Sequence, residues 1–303
     1  MKLFALYCFC PLILLSLVSG CNQNKSVKEN ETSIDKEMQI DEGSIAFNPE
    51  NYKKEEIIFY NLFSPVELTY LISKKESYYN SSLINSINNI TKYSESTKVA
   101  LNLGIYGADI SYLWMFEQSQ QSLSYRAAIQ RLTDKLEIPR DFVNFTYSSA
   151  ESNAQNFDSL VHIAKVSYLK TDEYLKRTGR NHSASFILLG GWIETLYIAT
   201  QMYEHPDSKL MSKIAIQNFS LNSLIGILQQ SQDNINVTEY LLLLKKLKQA
   251  FDELGIQYPP ESLVIDTSTK HIKLKNPESL NIKVENLAEI RRITKQIREH
   301  IIR

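Results

Sequence analysis

Residues 99–118 read VALNLGIYGADISYLWMFEQ, and this stretch decides the fold. Apolar side chains occupy nearly every position of the helical period, which predicts a helix over residues 97–120 that is buried on almost all sides. A second stretch, residues 190–201 (GGWIETLYIATQ), has the same texture inside a helix predicted over residues 183–204. Two helices of this kind belong at the centre of a domain, so the sequence predicts an all-α, multi-helix bundle.

More polar, amphipathic helices surround these two central ones. Periodicity bounded by prolines and glycines predicts further helices over residues 64–77, 151–178, 208–230, 237–254 and 284–301. The first central helix can continue to residue 136, before Pro139 breaks it. Near the C-terminus, residues 263–266 and 271–274 have the pattern of a small β-hairpin.

The two central helices open alike. With Gly107 aligned to Gly190, a glycine, an isoleucine, a leucine and a glutamine coincide, and Trp114 meets Tyr197. The match either records an internal duplication of a helical unit or reflects two buried helices built from the same apolar residues. On both interpretations, the glycines predict that another backbone approaches these helices closely.

The N-terminal residues have the three parts of an export signal. Lys2 supplies a positive charge, residues 3–18 are almost continuously apolar, and small residues precede Cys21. The apolar stretch is short for a bilayer span, which needs about 20 residues. We therefore expect residues 1–20 to be a signal peptide. The alternative is an uncleaved N-terminal membrane helix with an incidental cysteine.

The sequence Val18-Ser19-Gly20-Cys21 resembles the lipobox of bacterial lipoproteins. That resemblance implies cleavage before Cys21, a diacylglycerol on its thiol and an acyl chain such as palmitate on the new amine. It also implies a place in the cell envelope, more often at the outer than at the inner membrane. Residues 106–118 and 190–201 resemble segments of an uncharacterised family of helical lipoproteins from Bacteroidota-type envelopes, which implies a fold and a location but no reaction.

Residues 21–50 have the composition of a polar tether. Three lysines and seven acidic residues give positions 22–50 a net charge of −4, and apolar residues are scattered among them. An acidic tether should not adhere to anionic lipid surfaces. The predicted organisation is a lipoprotein signal peptide (1–20), a lipid-anchored disordered tether (21–50) and a helical domain (51–303).

Cysteine usage and charge exclude several classes of function. Cys8 and Cys10 lie in the predicted signal peptide and Cys21 would carry lipid, so the mature chain has no thiol for catalysis, a metal site or a disulfide. The net charge of −1 and the lack of a basic aromatic strip give no support to nucleic-acid binding. The sequence contains no hydrolase, phosphate-loop, dinucleotide or metal motif, so we predict no catalytic residue, cofactor or metal.

Three carboxylates interrupt the apolar texture of the central helices: Asp109, Glu117 and Glu194. An isolated buried charge is very costly, so each must be paired, hydrogen-bonded or protonated. Either they bond to helix ends, arginines or tyrosines and fix the register of the bundle, or they line a small polar pocket between the two helices. A di-metal centre is disfavoured because the sequence has no Glu-x-x-His motif. The candidate pocket residues are Asp109, Tyr112, Glu117, Trp192, Glu194 and Tyr197.

The last predicted helix is basic, with Arg291, Arg292, Lys295 and Arg298 outside its apolar stripe. Nine basic and four acidic residues give residues 270–303 a net charge of +5. We expect these side chains to form a solvated face; the alternative is a contact with anionic lipid or an acidic partner.

The sequence favours a non-enzymatic function. The leading expectation is a membrane-anchored envelope lipoprotein, held to the membrane by lipid on Cys21, whose helical domain serves as a scaffold or binds an envelope protein partner. The alternative is a small-molecule binding or sensing domain, with a pocket between the helices near residues 106–118 and 190–201.

Overall fold

The computed structural model describes residues 44–46, 78–153, 156–203, 206–230, 235–256, 263–266, 271–274 and 287–303. All of these belong to one unit of the chain, Asp41–Arg303. The predicted signal peptide, the predicted lipid attachment at Cys21 and the predicted helix over residues 64–77 lie outside the described residues.

Eight α-helices make up most of the described chain, and they confirm the prediction of an all-α bundle. They are α1 (Ser96–Met115), α2 (Ser119–Lys135), α3 (Arg140–Ser152), α4 (Phe157–Arg177), α5 (Asn181–Gln201), α6 (Ser208–Gln229), α7 (Ile235–Asp252) and α8 (Leu287–Ile302). Two short 3-10 segments, Ser81–Leu83 and Ile87–Lys92, precede α1.

Three short strands pair through their backbones. They are β1 (Ser44–Ala46), β2 (Leu263–Asp266) and β3 (His271–Leu274), in the antiparallel order β1-β2-β3. Strand β1 falls within the predicted tether. Residues 257–262, 267–270 and 275–286 lie outside the described residues, so the C-terminal β-hairpin as a part of this domain stays a prediction.

The first central helix is shorter than the sequence predicts. α1 ends at Met115, and α2 begins at Ser119. Between them Glu117 has φ 56°, in the left-handed region that an L-residue rarely adopts, and this reverses the helical path. The predicted helix over residues 97–120, with its extension to residue 136, is therefore two helices. Helix α3 (Arg140–Ser152) covers residues 140–150, for which the sequence predicts no helix, and the predicted helix over residues 151–178 begins later, as α4 at Phe157.

The second central helix, α5, is buried along almost its whole length. By length and composition α5 could cross a membrane, but 83% of its most apolar window is buried inside the domain. It packs against α1 most extensively, and also against α4, α6 and α8. Protein side chains therefore cover the apolar surface of α5, as expected for the central helix of a bundle.

The backbones of α1 and α5 touch where the two helices cross. A Cβ atom on Gly104 would lie 2.0 Å from the carbonyl oxygen of Ile187, and one on Gly190 would lie 1.9 Å from that of Leu101. A Cβ atom on Gly107 would have no neighbour within 4 Å. The predicted close approach is therefore confirmed at Gly190 and wrong at Gly107, because Gly104 is the glycine of α1 that lies in the crossing.

Helix α8 is fixed at both ends by hydrogen bonds to the central helices. Its last carbonyl oxygens accept from the Lys98 ammonium, 2.6 Å, the Asn102 amide, 3.1 Å, and the Tyr93 hydroxyl, 3.2 Å. Near its start, Arg291 donates to two carbonyl oxygens at the end of α5, each at 2.6 Å. These bonds satisfy helix-terminal carbonyls that lack intrahelical partners. These hydrogen bonds hold one side of α8 against the core, and Arg298 on that side is buried.

Candidate functional site

An ion pair between α5 and α8 lies in the interior of the bundle. The guanidinium of Arg298 donates from Nε to Glu194 Oε2 at 2.6 Å and from Nη2 to Glu194 Oε1 at 2.8 Å. The side chains of Arg298 and Glu194 are 7% and 0% exposed. Arg298 also donates to the carbonyl oxygen of Leu83, and its guanidinium carbon lies 4.2 Å from the ring centroid of Tyr197. Such a bidentate pair, with further contacts to a carbonyl oxygen and an aromatic ring, is the arrangement in which a buried charge is tolerated.

Asp109 of α1 adds a second carboxyl group to this pair. It is fully buried, and its Oδ2 accepts from the backbone N–H of Asn85 at 3.1 Å. Its Oδ1 has no partner among the described atoms while the group is ionised. Burial, the negative charge of Glu194 and a hydrogen bond with Glu194 raise the pKa of Asp109 well above its ordinary value. The raised pKa favours the protonated form of Asp109, in which one arginine balances one carboxylate.

Asparagine and tyrosine side chains close this ionic cluster of Asp109, Glu194 and Arg298 on the side of the 3-10 segments. The Asn85 carbonyl oxygen accepts from the Tyr125 hydroxyl at 2.7 Å, and its amide donates to the Tyr93 hydroxyl at 3.0 Å. The Tyr106 hydroxyl donates to the carbonyl oxygen of Ser86 at 2.8 Å. The network anchors residues 80–93 across α1, so the ionic cluster holds helices together.

The structure separates the six candidate pocket residues. Asp109, Glu194 and Tyr197 meet at Arg298, whereas the Tyr112 hydroxyl accepts from the backbone N–H of Asn80 at 3.0 Å. Glu117 is exposed beyond the end of α1, so the prediction that it is a buried acid is wrong. The helix ends two residues before it, and its side chain reaches solvent.

Trp192 belongs to a different environment from the other five. It is buried and donates from Nε1 to Gln217 Oε1 of α6 at 2.8 Å. Trp192 also lines a cavity of about 280 Å³ among α1 to α5. This is the only one of the six candidate residues in the wall of that cavity.

The cavity lies on the face of α1 that carries Gly104, Gly107, Ser111 and Trp114. Asp109 lies on a different face of the same helix. It follows Gly107 by two positions, and two positions along an α-helix turn the side chain by about 200°. Small residues of α1 face this space. A Cβ atom added to Gly107, for example, would have no neighbouring atom within 4 Å. This cavity differs from the polar pocket considered in the sequence analysis: aliphatic, small and aromatic residues line it, and the acids do not.

The wall of the cavity is apolar and uncharged. None of the described residues that line it is Asp, Glu, Lys, Arg or His. Several hydroxyl groups in the wall are already bonded: Ser111 donates to the carbonyl oxygen of Gly107 at 3.0 Å, and Thr146 and Ser167 bond each other at 2.5 Å. A pocket of this composition suits an apolar small molecule.

Tyr147 of α3 differs from these satisfied hydroxyls. Its side chain lines the cavity and is 4% exposed, and its hydroxyl makes no hydrogen bond to a described residue. Its ring meets the Trp114 ring edge-on, with centroids 5.8 Å apart, and the Arg126 guanidinium lies 4.7 Å from its centroid. Burial raises the pKa of the Tyr147 hydroxyl far above its ordinary value, so the group keeps its proton and remains a donor.

Comparisons with protein-family models, with curated proteins and with solved structures found no match to this chain. In the part of the chain that the structure describes, no group of three or more His, Cys, Asp or Glu residues could hold a metal ion. The cavity and the ionic cluster are therefore interpreted from their own geometry.

Asp109→Asn is expected to keep the fold and to remove part of the pH dependence of stability. The folded state keeps the Asp109 proton after the unfolded state has lost it, because the folded pKa is raised. The protonation of Asp109 therefore makes the free energy of unfolding fall as pH rises from about 4 to the folded pKa of Asp109. The fall is at most about 1.4 kcal/mol per pH unit, and above the folded pKa this contribution no longer changes with pH. An asparagine amide mimics the protonated carboxyl, so the variant lacks this contribution.

Urea unfolding of both proteins across the range from about pH 4 to pH 8 measures the difference. The Asp109→Asn protein should gain stability relative to the original chain as pH rises. Parallel pH profiles for the two proteins would show that Asp109 is not protonated in the fold.

Proposed function

We propose that this chain is a lipid-anchored protein of the cell envelope whose helical domain binds a small apolar molecule in the cavity among α1 to α5. The observation that carries the ligand-binding part is the uncharged cavity of about 280 Å³. The lipobox-like sequence before Cys21 supports the anchor, and the outer membrane is the proposed location. We also propose that residues 263–274 form a β-hairpin of the domain.

The size of the cavity argues for an occupant. Natural interiors are close-packed, and unfilled volume costs about 24 cal/mol per Å³ in core substitutions. This cavity is partly open to the surface, so a ligand can enter it, and an apolar ligand gains free energy by burying its surface there. An apolar cavity of about 150 Å³ binds benzene, so this one suits a ligand of roughly ten to twelve non-hydrogen atoms.

The cavity is the reason to prefer ligand binding to a scaffold role. The large exposed apolar side chains that the structure describes are Tyr78, Leu123, Phe145, Leu169 and Leu242, and they are distributed over several helices. Single exposed apolar residues are ordinary on a protein surface. The ionic cluster is a separate feature, since Asp109, Glu194 and Arg298 do not line the cavity.

Brominated ligands should quench the tryptophan fluorescence of the protein. The chain has two tryptophans, Trp114 and Trp192, and both line the cavity. We expect 8-bromooctan-1-ol to quench their emission saturably in the full chain held in lipid nanodiscs. Gly107→Leu should abolish saturable quenching, because the new side chain projects into the space that the ligand needs.

The matched control is Gly107→Ala, which adds one methyl group and leaves most of the volume. It should keep saturable quenching. Equal, linear quenching of the original chain and of Gly107→Leu would contradict ligand binding in the cavity.

Cys21→Ala should abolish lipid attachment. In bacteria fed a radiolabelled fatty acid, the original chain should incorporate label and remain in the membrane fraction, whereas the variant should do neither. Cys8→Ala is the matched control and should incorporate label normally, since Cys8 lies in the proposed signal peptide. Labelled Cys21→Ala protein in the membrane fraction would contradict the proposed anchor.

A further inference from the structure

We infer that the ligand of the cavity is electrically neutral and carries a hydrogen-bond acceptor that the Tyr147 hydroxyl recognises. This inference rests on the proposed function and names the chemical class of its ligand. A medium-chain alcohol, ketone or ester of roughly ten to twelve non-hydrogen atoms fits both the size and the polarity of the site.

Neutrality follows from the wall of the cavity. A charged group needs an opposite charge or several hydrogen bonds when it leaves water, and the described wall residues offer no charge. Arg126 is near, but it lies over the Tyr147 ring and pairs with Glu151 at 3.3 Å. Its charge is thus balanced outside the cavity. An ionised carboxylate or ammonium in the cavity would have no counterion.

The hydrogen bond follows from Tyr147. The Tyr147 hydroxyl has no partner among the described residues, and a hydroxyl that loses water without gaining a partner costs about 1–3 kcal/mol. Several other polar groups of the wall are bonded within the protein: Trp192 donates to Gln217, and Thr171 donates to the carbonyl oxygen of Ser167 at 2.9 Å. Tyr147 differs from them, and a ligand oxygen in the cavity would satisfy its hydroxyl.

The position of Tyr147 also favours donation. The Arg126 guanidinium lies 4.7 Å from the ring centroid and draws electron density from the ring, which strengthens the hydroxyl as a donor. The Trp114 indole stands edge-on to the same ring. A ligand whose oxygen meets Tyr147 would therefore lie beside Trp114, within reach of the fluorescence measurement.

Three matched ligands test this inference: 1-bromooctane, 8-bromooctan-1-ol and 8-bromooctanoate. They share an eight-carbon chain and a bromine, and differ only in the end group. In the original chain at neutral pH, we expect the alcohol to quench tryptophan at a dissociation constant about fivefold to tenfold below that of bromooctane. The carboxylate should bind at least about 100-fold more weakly than the alcohol.

Tyr147→Phe removes the hydroxyl and keeps the ring. The variant should bind 1-bromooctane as before and lose the preference for the alcohol. Its melting temperature without ligand should be little changed, since the hydroxyl makes no hydrogen bond to a described residue. Tyr174→Phe is the control, because the Tyr174 hydroxyl donates to the Glu137 carbonyl oxygen and does not line the cavity.

The outcomes separate the two proposals. Saturable quenching by all three ligands alike, or an alcohol preference that survives in Tyr147→Phe, would overturn this inference and leave ligand binding intact. Linear quenching by every ligand would overturn both. Loss of the alcohol preference in Tyr147→Phe and its retention in Tyr174→Phe would establish the inferred recognition.

Discussion

Arg298→Met is expected to lower the free energy of unfolding by about 3–5 kcal/mol, the usual cost of breaking a buried ion pair from one side. Glu194 would stay in the core with no counterion, since its side chain is fully buried and both its oxygens bond Arg298. The carbonyl oxygen of Leu83 would lose its donor from Arg298 as well. Urea unfolding followed by tryptophan fluorescence measures the loss.

Two further variants isolate the cause. Arg292→Met is the matched control on the same helix: Arg292 is exposed and pairs with exposed Glu289, so little change is expected. The double variant Glu194→Met with Arg298→Met removes both charges and should recover much of the lost stability, as apolar replacement of whole buried pairs does elsewhere. Equal unfolding curves for Arg298→Met and Arg292→Met would show that the ionic cluster does not hold the bundle.

Gly104→Ala is expected to destabilise the domain by at least the upper part of the about 1–3 kcal/mol range of overpacked cores. The added Cβ would lie 2.0 Å from the Ile187 carbonyl oxygen and 2.6 Å from the Gly191 nitrogen. Both are backbone atoms of a buried helix, which cannot move aside as a side chain can. Because α1 and α5 form the largest helix contact in the bundle, separating them should disturb the packing on both sides.

Gly107→Ala is the control for this substitution, three residues further along the same helix. Its Cβ meets open space, so the change should stabilise α1 by about 0.5–1 kcal/mol through helix propensity. Thermal unfolding of the two variants should therefore shift in opposite directions. Shifts of the same sign and size would contradict the close crossing of α1 and α5.

Helices with strong local signals are predictable from the sequence. The predictions over residues 183–204, 208–230 and 237–254 lie close to α5 (Asn181–Gln201), α6 (Ser208–Gln229) and α7 (Ile235–Asp252). Local chemistry fixes such ends: the Asp207 carboxylate, for example, caps α6 by accepting from the backbone N–H of Leu210 at 2.8 Å.

The break after α1 has no such signal. Glutamate is not a residue that favours positive φ, yet Glu117 adopts it at the C-terminal cap of α1, where the backbone N–H of Gln118 donates to the carbonyl oxygen of Leu113 at 2.9 Å. The alignment of Gly107 with Gly190 also does not identify the glycines at which the backbones of α1 and α5 touch. The crossing uses Gly190 and Gly104, and Gly104 lies three residues before Gly107, outside the aligned segments.

The site shows what a sequence pattern can and cannot predict. An acid in an apolar helix predicts a buried, compensated carboxyl group, and this is what Asp109 and Glu194 are. The partner of Glu194 lies 104 residues away in the sequence, on a helix whose basic composition predicts a solvated face. Arg298 departs from that prediction because it is buried in the core, and Arg291 also turns inward to cap α5.

The cavity could not be predicted, because a void depends on what neighbouring helices fail to fill. Gly107 and Ala108 are small, but small residues more often allow helices to approach, as Gly104 does. The space depends on how α2, α3, α4 and α5 are placed around α1. Tyr147 lies on α3, a helix that the sequence analysis did not predict, so no sequence signal identified it.

The most direct test of ligand binding is a crystal structure of the protein soaked with 8-bromooctan-1-ol, with data collected at the bromine absorption edge. We predict an anomalous bromine peak inside the cavity among α1 to α5, with the alcohol oxygen beside the Tyr147 hydroxyl. A cavity without bromine, in crystals whose bromine peaks all lie on the protein surface, would contradict the proposed function.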